Sequence, residues 1–128
     1  MIHHKSMQSK IFICSKNEII KKKYINIWIE QWKDEIIIFL DSQGNIKVFS
    51  SICPHFGGEI IFDEIANELK CKWHNWRFCV DTGKCLTHKI IGRLKSYDFE
   101  IKPGILKKYS AETVDNNIYA ILQENNEQ

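Results

Sequence analysis

Short apolar stretches separated by turn residues run along the whole chain, and they predict strands rather than helices. Residues 24–30 alternate apolar and polar positions imperfectly, and residues 35–40 form a β-branched apolar run; both read as strands. Asp41-Ser42-Gln43-Gly44-Asn45 has the composition of a hairpin turn, after which 46–50 returns as a strand. Further strands are expected at 67–71, 75–80, 96–102 and 117–122, with Pro103-Gly104 and a polar connection between the last two. Only 15–20 reads as a short helical turn. The pattern holds no internal repeat and no linker. It predicts an antiparallel all-β protein.

Composition narrows this without changing it. At 128 residues, 44% hydrophobic and 27% charged, the chain is long enough for one domain with a real core, so residues 1–128 are expected to form a single domain. The formal net charge is +2 and the basic residues are dispersed, with Lys21-Lys22-Lys23 the only run; no nucleic-acid partner is expected. The longest apolar stretch, 36–40, is far too short to span a bilayer, and the polar start MIHHKSMQSK is unlike a signal peptide. No membrane association is expected, and a cytoplasmic location follows. His3 and His4 lie in that polar start, which is expected to be disordered.

Candidate chemistry concentrates in two clips. Cys53-Pro54-His55 and Cys71-Lys72-Trp73-His74 each offer one thiol and one imidazole, with fifteen residues between them. In C-x-H an extended stretch throws residues i and i+2 to one side, and in C-x-x-H a tight turn does the same for i and i+3. Each clip therefore presents its Cys beside its His. Two cysteines and two histidines suit a 2Fe-2S cluster in which the imidazoles replace two thiolates on one iron. They also complete a tetrahedral zinc shell, but zinc clips space their ligands two to four residues apart, and C-x-H is short for that. The clips are followed by Phe56-Gly57-Gly58 and by Asn75-Trp76-Arg77-Phe78. Glycines let backbone N–H groups approach a ligand, and aromatic rings screen it from water.

The run from Ile52 to Leu86, with CPHFGGE, CKWHNWRF and DTGKCL in order, resembles the Rieske 2Fe-2S family, and within it the ferredoxins and oxygenase domains of aromatic-ring hydroxylation. The resemblance implies one 2Fe-2S cluster, with Cys53 and Cys71 on one iron and His55 and His74 on the other. Phe56, Gly57, Gly58, Trp73 and Trp76 are the implied surrounding residues. It further implies an antiparallel β-sandwich base built from both ends of the chain, with an inserted loop-rich cluster-binding lobe at about 50–90.

Departures from the family sharpen the expectation. Respiratory members carry a further cysteine in each loop and a hydrogen-bonding Ser and Tyr. Here Gly58 and Trp73 stand near the former, and Trp76 and Phe78 near the latter. Fewer hydrogen bonds to sulfur predict a potential toward the low end of the Rieske range, on the order of -150 mV. Asn75 replaces a usual glycine in a turn that asparagine also tolerates.

Three cysteines remain, Cys14, Cys79 and Cys85. An odd remainder suits a reducing compartment, and packed, reduced thiols are a better reading than a Cys79–Cys85 bridge across the turn between them. His88, which follows that hairpin, is expected to be an ordinary surface histidine. Lys70, Lys72, Arg77, Lys84 and Lys89 form either a basic rim that steers an acidic partner or a solvated face.

A mononuclear iron site of two histidines and a carboxylate cannot be assembled downstream, where only His88 remains, so the chain is expected not to be an enzyme by itself. The expected function is a soluble ferredoxin passing single electrons from a reductase to a terminal oxygenase. The alternatives are an accessory subunit of an oxygenase- or nitrite-reductase-type oxidoreductase and, behind both, a zinc-stabilised binding module.

Overall fold

A computed structural model describes residues 7–53, 58–72, 76–87, 90–94, 97–101 and 104–124. The base is a six-stranded antiparallel sheet in the order β1-β11-β10-β4-β3-β2. Its strands are β1 (Met7–Ser15), β2 (Tyr24–Ile29), β3 (Asp34–Leu40), β4 (Ile46–Ser50), β10 (Lys108–Val114) and β11 (Asn117–Glu124). A smaller three-stranded sheet follows β4 in the chain, made of β5 (Ile60–Asp63), β6 (Glu68–Cys71) and β7 (Arg77–Cys79). Strands β8 (Ile90–Leu94) and β9 (Tyr97–Ile101) pair as a separate hairpin. Both chain ends contribute to the base, as the sequence predicts.

Strand β3 explains how the two sheets are joined. Its run Ile36-Ile37-Ile38-Phe39 is wholly buried, which an ordinary half-solvated strand would not be. Ile36 and Ile38 enter a core cluster with Cys14, Ile19, Val48, Tyr109, Ile118 and Ala120, inside the base. Ile37 and Phe39 point the other way, into a second cluster with Phe49 of β4 and with Ile60, Phe62, Leu69 and Phe78 of the small sheet. Phe39 stacks on Phe62 with centroids 4.6 Å apart and lies 6.2 Å from Phe49. One strand thus forms a shared wall, and the continuous apolar run is the mark of it. Burying a phenylalanine of this kind contributes about 2–3 kcal/mol.

Turns hold this arrangement in register. Between β3 and β4, the Asp41 carboxylate accepts from the N–H groups of Gln43 and Asn45, both at 2.9 Å, while Gly44 takes a φ of +81°. The short helix α1 (Lys16–Lys22) starts at Ser15, whose hydroxyl accepts from Glu18 N–H at 3.1 Å, and it buries Ile19.

The polar start departs from expectation: Met7–Ser15 is an edge strand, held by eight register pairs to β11 with a bulge between Phe12 and Cys14. Backbone pairing settles it, and side-chain polarity on an edge strand is no obstacle. Strands β5, β8 and β10 were likewise not predicted. His3 and His4 lie outside the described residues.

Candidate metal centre

Cys53 leaves the base through Ser51, a nearly fully buried residue that is bonded on every side. Its N–H donates to Glu35 O at 2.7 Å, its carbonyl accepts from Ile60 N–H at 2.9 Å, and its hydroxyl donates to the Glu35 carboxylate at 3.2 Å. The Asn26 amide donates to Ser51 Oγ at 2.9 Å and to Ile60 O at 3.0 Å, tying β2 to both ends of the loop. Nothing in the alternation of β2 singles Asn26 out. A lone amide in an otherwise apolar strand was the available signal.

The two clips close alike. Cys53 N–H donates to Gly58 O at 2.7 Å, and Cys71 N–H donates to Trp76 O at 2.8 Å, so each loop returns to its cysteine after five residues. Lys72 N–H donates to Glu59 O at 2.8 Å, which bonds one clip to the other. Gly58 thus acts through its carbonyl. Both cysteines are buried, Cys53 at 2% and Cys71 at 0% exposure, within the cluster that also holds Ile60, Leu69, Trp76 and Phe78. Trp76 is itself buried in that cluster beside the two cysteines.

Two thiols brought together from two similarly closed loops fit a thiolate-ligated metal group. None of the five cysteines is in a disulfide. His55, His74, Phe56, Gly57 and Trp73 lie outside the described residues, as do Asn75, His88 and Lys89. Among the described residues no group of three or more His, Cys, Asp or Glu converges on a point. Of the four residues expected from the sequence as ligands, Cys53 and Cys71 are the two that the structure describes.

The leftover cysteines separate cleanly. Phe78 pairs with Cys85, and Cys79 N–H donates to Lys84 O at 2.8 Å, so successive residues put Cys79 and Cys85 on opposite faces. A bridge between them is excluded by register. Cys79 sits on the outer face, where the Thr82 hydroxyl and Asp81 N–H bond its sulfur and lower its pKa below the usual thiol range. Cys85 packs against the core that holds Cys53 and Cys71. Cys14 belongs to the other core, beyond β3.

Two of the basic residues near the clips, Arg77 and Lys72, have acidic partners. Arg77 reaches Asp63 at 3.0 Å and Glu68 at 3.2 Å, clamping β5, β6 and β7 together, and Lys72 lies 3.8 Å from Glu59. The Asp63 carboxyl is held below the usual range, first by Ala66 N–H and then by Arg77. Arg77 N–H also donates to Thr87 Oγ1 at 2.9 Å, securing the segment that carries Cys85.

Comparison with known proteins bears on this geometry. A family model described as the Rieske [2Fe-2S] domain matches residues 9–98. The oxygenase component of 3-ketosteroid-9-alpha-monooxygenase from Mycobacterium tuberculosis is 27% identical over 88 residues, 61% of this chain but 22% of that protein. The cytochrome b6-f complex iron-sulfur subunit of Chlorobaculum tepidum is 30% identical over 76 residues, 59% of this chain and 41% of that one. The chain thus spans less than half the length of these relatives. Among solved structures, the ferredoxin of carbazole 1,9a-dioxygenase from Nocardioides aromaticivorans matches with a TM-score of 0.64 at 16% identity, covering 88% of this chain and 96% of that one. A small subunit assigned to an NADH-dependent nitrite reductase of Mycobacterium tuberculosis matches with a TM-score of 0.64 at 13% identity, covering 91% and 96%. At these identities the structural likeness is one of fold.

Proposed function

The chain belongs to the Rieske [2Fe-2S] domain family, and on that premise we propose that it is a ferredoxin-type carrier that passes single electrons from a reductase to an oxygenase. A domain of this family binds one 2Fe-2S cluster, and that group, when bound, supplies a one-electron redox centre. Cys53 and Cys71 would hold one iron, and His55 and His74 the other. The observation that carries this is the pair of buried cysteines delivered by two loops of matching closure.

The chain's own residues do three things toward that end. The Ser51, Asn26 and Glu35 bonds fix where the first clip leaves the sheet. The Lys72 to Glu59 bond sets the second clip beside the first. Trp76, Phe78 and Leu106 keep water from the sulfur side. The likeness in fold to a ferredoxin that the chain covers almost completely supports a carrier role. Reduced cysteines throughout suit a cytoplasmic setting, and no helix among the described residues is long and apolar enough to cross a membrane.

The second reading, an accessory subunit of a larger oxidoreductase, has the nitrite-reductase small-subunit likeness in its favour. Reductive titration of the iron-loaded chain tests the carrier role: uptake and return of one electron per chain is expected, and redox silence would overturn it. Sedimentation of the chain from its native source separates the readings, since a ferredoxin runs alone and a subunit runs within a stable complex.

A further inference from the structure

The base sheet comes apart between β4 and β10. The two strands pair only through Lys108↔Phe49 and Tyr109↔Val48, with Ser50 N–H donating to Lys107 O at 2.8 Å. The same register would set Ala111 opposite Ile46, but there β10 follows β11, with which it pairs from Ser110 to Val114. A cavity of about 390 Å³ opens in the gap, lined by Ile46, Lys47, Lys108, Tyr109, Ser110 and Ala111. Main-chain groups alternate between the two edges of a strand, so the bond from Ser50 to Lys107 fixes their directions. On β10 the N–H and C=O groups of Ala111 and Thr113 turn toward the gap, and on β4 those of Ile46 do. Two strand edges thus face an open slot, and no strand among the described residues fills it.

The side chains give this slot two characters. Ile46 and Ala111 pack against the core cluster that holds Val48, Tyr109 and Ile118, and they make an apolar floor. Lys108 is in register with Phe49, on the opposite face, where it and Lys47 make a cationic rim; none of the lining residues is acidic. Lys47 is paired with Asp81 at 3.1 Å, but Lys108 Nζ donates to a carbonyl, Asp81 O at 2.7 Å, which leaves its positive charge to the slot. We propose that the slot receives, by strand addition, an extended segment of a protein partner in which apolar and acidic residues alternate. Its apolar side chains meet Ile46 and Ala111, its carboxylates meet Lys108, and its main chain takes up the free edges of β4 and β10. The far end of β4, at Ser50, leads toward Cys53, so a partner held beside Ile46 leaves the clips uncovered.

Fluorescence anisotropy of a labelled hexapeptide of alternating valine and glutamate, added to the cluster-loaded full chain, tests this. Saturable binding is expected. A valine–lysine hexapeptide should bind several-fold more weakly, and Lys108→Glu should lower the affinity for the valine–glutamate peptide several-fold. The same peptide methylated at all its amide nitrogens can donate no ladder bond and should lose most of its affinity. Hydrogen exchange followed by NMR should slow at the Ala111 and Thr113 amides when the unmethylated peptide is bound. No binding, equal binding of the glutamate and lysine peptides, or unchanged exchange at both amides would overturn the proposal. So would sedimentation of the chain alone as a dimer with those amides already protected, since a second copy would then fill the slot. If Lys108→Glu does not fold, the peptides and the exchange of the wild type decide.

Discussion

Adding one methyl group at Gly83 should unseat the hairpin that carries Cys79 and Cys85. Gly83 has a φ of +79°, and its carbonyl accepts from Leu106 N–H at 2.9 Å, joining this hairpin to the segment that leads into β10. A Cβ placed there would meet Leu106 O at 2.6 Å and the Phe49 ring at 3.0 Å. The left-handed backbone alone costs alanine about 1–2 kcal/mol. Backbone cannot swing aside as a flexible side chain does, so displacing Leu106 and crowding Phe49 adds roughly 1–3 kcal/mol. Gly44 supplies the control, because its φ of +81° is nearly the same and nothing lies within 4 Å of its added Cβ. Gly44→Ala should therefore show the conformational cost alone. Urea unfolding of the two variants at equal cluster loading, followed by tryptophan fluorescence, reads the difference. With a slope of about 1–3 kcal/mol per molar urea, the Gly83→Ala midpoint should fall below that of Gly44→Ala by about 1 M. Coincident midpoints would refute the reasoning that close packing, rather than backbone conformation, makes Gly83 indispensable.

Tyr109→Phe removes a hydroxyl that donates to Asp34 at 2.5 Å and should cost about 1–2 kcal/mol at neutral pH. Burial first, and then Asp34, raise the Tyr109 pKa, so the hydroxyl's contribution is present below the unfolded value near pH 10 and lost above it; the wild-type advantage over Tyr109→Phe should shrink in alkali, and a constant gap from pH 7 to pH 11 would contradict this. Asp63 behaves oppositely. Its lowered pKa makes its contribution present above about pH 4 and lost on acidification below that, so the melting temperatures of wild type and Asp63→Asn should differ at pH 7 and converge near pH 3. Cys53→Ser should abolish the visible absorbance of the cluster while Cys79→Ser, altered on the outer face, should keep it; equal loss in both would contradict the placement of Cys79.

Much of the fold was legible because burial left its mark on particular residues. The run 36–39 read as a strand since both of its faces are covered, and the turn at 41–45 read correctly since Asp41 and Gly44 do what that turn requires. Strand β1 was missed because its apolar part is short, Ile11 to Cys14, and the exposed Phe12 and the bulge beside it hide the inward packing of Ile11, Ile13 and Cys14. Strand β10 was missed because Glu112, Thr113 and Val114 face solvent and leave no apolar period. The cysteines of the clips were conspicuous from spacing alone, yet their closure onto Gly58 and Trp76 was not, since it runs through backbone atoms that no residue type announces. Cys79 and Cys85 invited a bridge by their position about a turn. Only the register of Phe78 against Cys85 places them on opposite faces.

The central claim is that these clips hold a histidine- and cysteine-ligated 2Fe-2S cluster. Iron and sulfide analysis combined with EPR of the dithionite-reduced protein addresses it most directly. Two irons and two sulfides per chain, with the low average g value of mixed nitrogen and sulfur ligation, are predicted; a colourless protein with one zinc per chain would contradict the account.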